Sequence, residues 1–588
     1  MTGHFRAVIV LVLFTLAASS PVFGDEGSKT GSAALSIDSC PTKCFFKPGE
    51  PASIEVTISN PRPVSVSGRL TVSFKRLAHE AHVVRDVVQV RAGSTFVRAF
   101  SWFPPDEKVG YGVDVEFEAG DEFLSASTAF NVADSWRETP RYGFMCDFPR
   151  GTGDLSDARE RAKVMNRYHI NAVQFYDWMY RHDTLLPEHE EFVDSMGRPL
   201  SIKAVADRIC AVQERGMAAM AYATVYAASK QFFEAHREWA LWQGIDVPYT
   251  LGGGYLYLMN PARTSPWHAR MMDEYQRVVS TMDFDGIHID QYGYPKRAFT
   301  TPECESGSVL RVDDAFAEFT DDAKRAVTAV RPGAFVAFNC VNNWPIETIA
   351  TSDADIVYIE VWPPHDTYSD IVELISEGRR LSGGKEVVLA AYLSPALEAS
   401  ARYLDAVIFS AGGSHIELGE GANMLADPYF PRYERVPERL ASSLRGYYDF
   451  CARYADLLFG GTSGPSFFPS DDFSLVALDY PSTSSDYAAE EIWVIPRRKD
   501  GLVVANLVNL LRVADATWRI EQAPPPVLRN VRFRVCLDRP CDQILFASPE
   551  YRGGRMERVE LTRVADGPEN TYEFTVPYLE YWSTVVIF

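Results

Sequence analysis

Hydrophobic and polar residues change their pattern twice along the chain. Between Leu35 and about Asp134, apolar and polar residues alternate in short runs such as Ser53–Ser59 and Gly68–Phe74, separated by Pro, Gly and Asn turns. Alternation with this period predicts β-strands with one buried face, and about one hundred residues of it are typical of an immunoglobulin-like sandwich. Similar runs return from Gly460 onward and predict a second β-sandwich.

Short apolar strands alternate with helical segments in the stretch between these two regions. The helix predicted over Asp313–Val330 is followed by a Pro-Gly stop at Pro332 and Gly333 and then by a strand, which shows the repeating unit clearly. The predicted strands are Tyr142–Asp147, Asn171–Tyr176, Ala218–Thr224, Gly286–Asp290, Ala334–Asn339, Ile356–Glu360, Val387–Tyr392 and Ala406–Ser410. Eight strands in strict alternation predict a (β/α)8 TIM barrel rather than a doubly wound sheet.

The start of the chain has the layout of a secretory signal peptide. His4 and Arg6 precede the apolar run Ala7–Ala18, and Val22–Gly24 offers small residues at a cleavage site. The run is shorter than the roughly 20 apolar residues that span a bilayer, although an uncleaved anchor is the alternative. We therefore predict a signal peptide over 1–24, a disordered segment over 25–35, a sandwich over 36–135, the barrel over 136–458 and a second sandwich over 459–588, in a protein that is secreted or periplasmic.

Charge and cysteine content narrow the classes of partner. The chain of 588 residues carries 57 Lys and Arg against 79 Asp and Glu, a formal charge of −22. This acidity argues against binding to nucleic acid or to an anionic membrane. No Cys/His cluster has zinc spacing, so no metal and no cofactor is predicted. Two pairs of cysteines that lie close in sequence are candidate disulfides: Cys40 with Cys44, and Cys536 with Cys541. Four others are interpreted as buried thiols: Cys146, Cys210, Cys340 and Cys451.

The candidate chemistry lies at the carboxyl ends of the barrel strands, where active sites of such barrels are found. Aromatic rings stack on the apolar faces of sugar rings, and cleavage of a glycosidic bond needs two carboxyl groups that flank it. The motifs G-x-S-x-G, H-E-x-x-H and G-x-G-x-x-G are absent, which removes the usual support for a hydrolase triad, a zincin or a dinucleotide site. The polar and aromatic residues that follow the strands are Asp147, Tyr176, Asp177, Trp178, His182, Tyr226, Asp290, Asn339, Glu360, Trp362 and Glu417.

Two of these carboxyl groups are the candidate catalytic pair. Asp290 ends an apolar strand and is the candidate nucleophile, with a helix N-cap as the alternative. Glu360 ends the sixth strand close to Trp362, where desolvation would raise its pKa as a general acid requires; the alternative is a salt bridge at the rim. Asp285, at the other end of the fourth strand, is interpreted as structural. His288 is either a hydrogen-bond donor behind the site or a packed core residue.

Three segments resemble glycoside hydrolase family 66: Asp285–Gly293, Asn171–Tyr180 and Tyr358–Trp362. That family comprises the bacterial endo-dextranases and the cycloisomaltooligosaccharide glucanotransferases. In the family, the aspartate of the D-G-x-x-I-D motif is the nucleophile and a glutamate further along is the acid/base. Asp290 and Glu360 match these roles and are separated by 70 positions.

The resemblance implies a retaining hydrolase that cleaves α-1,6 links within dextran to linear isomaltooligosaccharides by double displacement. It also implies that Asn260 and the rim residues Asp147, Tyr176, Asp177, Trp178, His182, Tyr226, Asn339, Trp362 and Glu417 bind substrate. Cyclising members of the family carry an extra carbohydrate-binding module in the barrel region. No β block of that size interrupts this barrel, which favours the endo-dextranase.

Two alternatives remain open from the sequence. One is a cycloisomaltooligosaccharide glucanotransferase or a related α-glucan transglycosylase, and the other is a non-catalytic α-glucan-binding protein. In each case a dextran-like polysaccharide is the expected partner. A monomer with no nucleic-acid partner, and no membrane partner after signal cleavage, is expected.

Overall fold

The computed structural model describes residues 34–151, 155–302, 309–460, 473–484, 489–499, 501–565 and 568–588. The predicted signal peptide lies outside these ranges, as does most of the segment predicted to be disordered. Leu35, which that prediction included, is instead buried in the core of the first sandwich. No helix in the described part of the chain is long and apolar enough to cross a membrane.

The first domain is a sandwich of two antiparallel sheets. Every second residue of Ala52–Asn60 is buried, because one face of this strand packs on the opposite sheet and the other meets solvent. The smaller sheet joins Ser36–Pro41, Ala52–Asn60 and Ser94–Trp102 in that order. The larger sheet has the order His79–Val90, Val66–Arg76, Gly110–Ala119 and Glu122–Asn131.

The central domain is a nearly closed barrel of eight parallel strands that neighbour one another in chain order. A parallel bridge between Phe144 and Gly419 brings the last strand region back to the first, and the predicted barrel is therefore present. The strands are β1 (Tyr142–Met145), β2 (Ala172–Phe175), β3 (Ala218–Thr224), β4 (Gly286–Asp290), β5 (Phe335–Val341), β6 (Val357–Glu360), β7 (Val387–Ala390) and β8 (Ser414–His415).

Helices follow the strands and cover the outside of the barrel. They are α1 (Leu155–Asn166), α2 (Ile202–Glu214), α3 (Lys230–Ala235), α4 (Pro266–Met282), α5 (Val312–Val330), α6 (Ile346–Ile349), α7 (Tyr368–Leu381), α8 (Glu398–Ser410), α9 (Glu438–Arg453) and α10 (Ala455–Leu458). Short strands in the loops build up the rim at Glu191–Val193, Pro199–Ser201, Ala227–Ala228, Trp242–Gly244, Val247–Pro248, Thr250–Leu251, Leu256–Leu258, Arg297–Phe299, Val309–Arg311, Asn423–Met424 and Glu434–Arg435.

The eighth predicted strand, Ala406–Ser410, is wrong, because these residues form the end of α8 and the true strand β8 follows them. Every residue of α8 from Ser400 onward is buried. The helix packs against α7 and α9 and against the strand Leu502–Asn509 of the last domain. The run Ala406–Ser410 is short, almost wholly apolar and buried, and such a run does not distinguish the end of a buried helix from a buried strand.

The last domain is a second sandwich of two sheets with a core of its own. One sheet has the order Phe473–Ala477, Leu528–Leu537, Thr571–Leu579 and Leu561–Arg563. The other has the order Ser482–Thr483, Ile492–Lys499, Leu502–Asn509, Trp582–Ile587, Ile544–Ala547 and Glu557–Val559.

The eight described cysteines are free, so the candidate disulfides are absent. The Cys40 thiol contacts Asn166, 3.6 Å from its Nδ2, whereas Cys44 is fully buried beside Gly216. The two side chains therefore point to different neighbours. Cys210 is exposed rather than buried.

Arg141 fastens the first sandwich to the barrel. This fully buried side chain donates from Nε to the carbonyl of His169 at 2.7 Å and from Nη1 to the carbonyl of Thr139 at 3.1 Å. Its Nη2 donates to Asn131 Oδ1 at 2.9 Å and to the carbonyl of Cys44 at 3.2 Å. A planar guanidinium serves these four acceptors at once, which an ammonium group on a flexible chain cannot do.

Replacing Arg141 by Lys should lower the free energy of unfolding by about 3 kcal/mol, because several buried acceptors lose their donors. Denaturant unfolding of the purified protein measures the change. The matched control is Arg159→Lys, an exposed residue paired with Glu214, which should leave stability unchanged within error. Equal stability of the Arg141 and Arg159 variants would contradict the role given to Arg141.

Candidate active site

Asp290 ends β4 at the mouth of the barrel, where three donors hold its carboxylate. Tyr222 donates its hydroxyl to Oδ2 at 2.8 Å, while Asn339 Nδ2 and the backbone N–H of Gln291 donate to Oδ1 at 2.7 and 2.8 Å. No helix begins at this residue, since the next helix of the described chain is α5. The helix-cap alternative for Asp290 is therefore wrong.

Glu360 ends β6 and faces the same space. Asn339 Nδ2 donates to its Oε2 at 2.8 Å, and the Tyr392 hydroxyl donates to its Oε1 at 3.0 Å. Among the described residues, neither Glu360 nor Asp290 has a Lys, Arg or His ion-pair partner, so the salt-bridge alternative for Glu360 is wrong as well. The amide of Asn339 is the direct link between the two carboxyl groups.

The separation of the two carboxyl groups fits a retaining glycosidase. Because one nitrogen of Asn339 bonds both, Asp290 Oδ1 and Glu360 Oε2 cannot be further apart than the two bond lengths together, about 5.5 Å. Retaining enzymes hold these groups about 5–5.5 Å apart, whereas inverting enzymes leave a wider gap for a water molecule.

Burial makes the two groups differ in protonation. Burial raises the pKa of Asp290, and the hydrogen bonds from Asn339, Tyr222 and Gln291 oppose this rise. Burial and then the charge of Asp290 raise the pKa of Glu360 to about 7, although Asn339, Tyr392 and Trp362 oppose the rise. Because the charge of Asp290 raises the pKa of Glu360, the proton that the pair shares near neutral pH resides on Glu360.

Aromatic side chains and one ion pair line the space next to the carboxyl pair. Tyr176 stacks on Phe430 with ring centres 4.3 Å apart and leans on Tyr222 at 4.7 Å. Asp177 follows Tyr176, and its Oδ2 lies 3.7 Å from Arg198 Nη2. Burial raises the pKa of Asp177 to about 7, and Arg198 opposes the rise.

One buried polar atom at the pocket, Asn339 Oδ1 between the carboxyl groups, has no hydrogen-bond partner among the described residues. The Trp362 ring is half-buried, with its centre 6.2 Å from that of Tyr392, and its indole N–H is directed at Glu360. One acceptor is therefore left for a hydroxyl group of a ligand.

Six of the predicted site residues thus meet at one pocket: Tyr176, Asp177, Asp290, Asn339, Glu360 and Trp362. Trp178 and Tyr226 do not reach it. The Trp178 indole is fully buried under the pocket and donates to the carbonyl of Tyr222 at 3.1 Å. The Tyr226 hydroxyl is directed at backbone, donating to the Tyr294 carbonyl at 2.7 Å and accepting from the Tyr292 N–H at 2.8 Å. Both support the loops that carry the site, which corrects their predicted role.

Four more predicted binding residues lie elsewhere. His182 is buried near Asp183 and Asp194, and burial lowers its pKa to about 4. The side chain of Asn260 accepts from the Ala262 N–H at 3.0 Å and shapes the turn before α4. Asp147 is half-buried with its carboxylate 3.5 Å from Arg161. Glu417 points outward from the barrel wall, where it accepts from the Tyr448 hydroxyl at 3.0 Å.

His288 is a packed core residue, the second of the two interpretations. Its Nδ1 lies 3.0 Å from the Tyr142 hydroxyl, and its ring meets Tyr358 edge to face at 4.5 Å. Burial lowers the pKa of His288 to about 3, so the ring is neutral. Asp285 lies at the opposite end of β4, where it accepts from the Ala219 N–H at 2.9 Å and from Arg331 at 2.7 Å, as a structural role requires.

Tyr222, Tyr392 and Arg198 are site residues that the sequence analysis missed. Tyr222 is the one large polar side chain in the alanine-rich strand β3, and Tyr392 ends the predicted seventh strand, so a search of strand positions could have found both. Arg198 lies in a rim loop before α2 and offers no such signal.

A (β/α)8 barrel with two hydrogen-bonded carboxyl groups at the ends of its strands is the arrangement found in glycoside hydrolases. The model of glycosyl hydrolase family 66 matches residues 41–586, and the chain belongs to that family.

Relatives and a solved structure agree with this assignment. Two cycloisomaltooligosaccharide glucanotransferases of Niallia circulans are 23% and 24% identical over 92% and 98% of this chain and 71% and 75% of their own. A cycloisomaltooligosaccharide glucanotransferase structure from Paenibacillus sp., in complex with cycloisomaltoheptaose, aligns with a TM-score of 0.86 at 23% identity. It covers 93% of this chain and 99% of its own, and at this identity it supports the fold alone.

Proposed function

We propose that this protein is a retaining transglycosylase of the cycloisomaltooligosaccharide glucanotransferase type, which acts on an α-1,6-glucan. The observation that carries the proposal is the pair Asp290 and Glu360, joined by one Asn339 amide in a family 66 barrel. The names of the relatives favour transfer over the hydrolysis that the sequence analysis predicted. The signal-peptide layout supports action outside the cytoplasm, and we propose a monomer.

In the first half of the reaction, Asp290 attacks the anomeric carbon of the glucosyl unit. A bond forms between a carboxylate oxygen of Asp290 and that carbon while the bond to the leaving oxygen breaks. Glu360 gives its proton to the leaving oxygen, which departs as a free hydroxyl group. The raised pKa of Glu360, about 7, keeps this proton available near neutral pH.

In the second half, Glu360 is a carboxylate and takes a proton from the incoming hydroxyl group. That oxygen attacks the anomeric carbon and releases Asp290, so two inversions give net retention. If the hydroxyl is the 6-OH at the far end of the same chain, the product is a ring. If it is the hydroxyl of water, the product is a linear oligosaccharide.

Hydrolysis by an endo-dextranase is the second candidate. The cyclising members of the family carry an extra carbohydrate-binding module in the barrel region. The described loops of this barrel contain only short strands, the longest having three residues, which favours hydrolysis. The carboxyl pair would be the same in both cases.

Product analysis distinguishes the two candidates. The mature chain is incubated with dextran, with starch and pullulan as controls for linkage, and products are examined by mass spectrometry and by an assay of reducing ends. We expect cyclic α-1,6 oligosaccharides, each lighter than its linear counterpart by one water and without a reducing end. Linear products alone would assign the protein as an endo-dextranase. Inactivity on dextran would refute both.

The roles of the two carboxyl groups can be tested separately. Asp290→Asn and Glu360→Gln should each reduce kcat by about 10³-fold or more while the protein stays folded. Azide added to Glu360→Ala should yield the glycosyl azide with retained configuration, because Asp290 still forms the covalent intermediate. Azide added to Asp290→Ala should give the inverted product.

Asp285→Asn is the matched control, since it alters a carboxylate of the same strand segment at the far end of the barrel. It should lower stability and leave the mechanism intact. Assignment of the two roles would have to be abandoned if Glu360→Ala gave the inverted azide.

The pH dependence of kcat/KM should change when a hydrogen-bond donor to either carboxyl group is removed. Activity requires ionised Asp290 and protonated Glu360, so kcat/KM should decline above about pH 7. Tyr392→Phe removes a hydrogen bond that lowers the pKa of Glu360, and should move the high-pH limb upward by about half a unit to one unit. Tyr222→Phe should move the low-pH limb upward, because Asp290 loses a donor to its anion. Tyr226→Phe, whose hydroxyl bonds only backbone, should move neither; an unshifted high-pH limb in Tyr392→Phe would count against the acid role of Glu360.

A further inference from the structure

Three potential metal ligands meet outside the barrel wall, away from the carboxyl pair. They are Asp405 on α8, His415 on β8 and Glu417 just after β8, and one donor atom from each lies within 4.8 Å of the others. All three side chains are buried to 99% or more. Glu417 was predicted to bind substrate but lies away from the pocket, and the chemistry at Asp290 and Glu360 uses none of the three residues.

The orientation of the His415 ring is set by backbone. Its Nε2 lies 3.0 Å from the carbonyl oxygen of Ala391, which can only accept, so Nε2 carries the hydrogen. In the neutral ring, Nδ1 then presents a lone pair to Asp405 Oδ1 at 2.9 Å and Glu417 Oε2 at 3.5 Å.

The cluster is short of positive charge. Asp405 Oδ2 and Glu417 Oε2 are buried and receive no hydrogen bond from a donor group of another residue, while the two carboxyl groups lie within hydrogen-bond reach of each other. Within the described chain, His415 is the only ion-pair partner of either carboxylate. Three acceptors thus face one another around a common point.

We propose that Asp405, His415 and Glu417 bind a structural zinc ion that ties β8 to α8. Zinc takes imidazole nitrogen and carboxylate oxygen at about 2.0–2.1 Å in tetrahedral geometry, which places donor atoms about 3.3 Å from one another. The separations of 2.9 and 3.5 Å lie on either side of that value. Two carboxylates and one Zn²⁺ also sum to zero charge, as a dry interior requires.

The surroundings resemble those of a bound metal in two further respects. A histidine ligand of a metal usually donates its other nitrogen to a carbonyl or carboxylate, as His415 does to Ala391. Glu417 is held by the Tyr448 hydroxyl at 3.0 Å, so α9 supports the site as well. Calcium would need six or more oxygen ligands, and Mg²⁺ a set of waters, so the donor set favours zinc.

The proposed site lies close to the point where the barrel closes. The strand β8 has two residues and adjoins the Phe144–Gly419 bridge that closes the barrel. Ala391, which receives the His415 hydrogen bond, directly precedes Tyr392, the donor to Glu360. An ion at this point would secure the closing strand, which few backbone hydrogen bonds hold in place.

Metal analysis of the full mature chain, produced without a histidine tag in zinc-supplemented medium, tests the proposal. We expect about one equivalent of zinc per chain. Unfolding in denaturant with a chelator, followed by refolding with or without Zn²⁺, should give a higher Tm with zinc. Refolding with Co²⁺ should produce the visible absorption bands of a tetrahedral site.

Asp405→Asn and Glu417→Gln keep the shape of the side chains and should reduce the bound zinc to a trace. The control Glu386→Gln removes a buried carboxylate that pairs with Arg379 elsewhere, and should retain zinc even if stability falls. The proposal would be overturned if the wild-type protein held only traces of metal and its Tm were the same after refolding with zinc or with chelator. The two carboxyl groups would then share a proton instead.

Discussion

Two carboxyl groups lie side by side in the barrel mouth, where no Lys, Arg or His of the described ranges pairs with them, and the arrangement of the site follows from that constraint. A buried carboxylate without a positive partner is stable only if neutral donors surround it. Tyr222, Gln291 and Asn339 provide such donors for Asp290. Glu360 receives hydrogen bonds from Asn339, Tyr392 and Trp362, and it keeps the proton because the charge of Asp290 raises its pKa. A Lys or Arg close to the pair would have lowered the pKa of both groups and removed the acid.

The barrel makes this arrangement possible because neighbouring parallel strands end at the same level. Asn339 on β5 lies between the strands that carry Asp290 and Glu360, and its single amide nitrogen reaches both. Residues two positions earlier on a strand lie one layer deeper, where His288 is neutral and packed among aromatic rings. The depth of a residue in the barrel therefore decides whether a polar side chain supports the core or the chemistry.

The sequence was sufficient for the parts of the structure that have a simple period. Seven of the eight barrel strands, and the position of Asp290 and Glu360 at the same end of the barrel, followed from apolar runs that end in a polar residue, together with the family motif. The prediction of the eighth strand failed because Ala406–Ser410 is a short, buried and almost wholly apolar run, which does not distinguish the end of a helix from a strand. The sequence did not show which of the residues that follow a strand face the pocket. Trp178 directly follows Asp177, yet its indole lies under the pocket and donates to the Tyr222 carbonyl. Side-chain direction in loops depends on backbone angles, such as the positive φ of 51° at Asp177, which no periodicity encodes.

The unpartnered atom of the pocket bears on the proposed competition between transfer and hydrolysis. Asn339 Oδ1 is buried without a partner among the described residues, and leaving such an atom unpaired is costly. A sugar hydroxyl can donate to this amide oxygen while its ring lies on aromatic faces such as that of Tyr176. Water can satisfy the same atom but gains nothing from the aromatic faces. In the proposed reaction an acceptor sugar would therefore be held better than water beside Glu360, and the aromatic wall, rather than the carboxyl pair, would set the balance between the two outcomes.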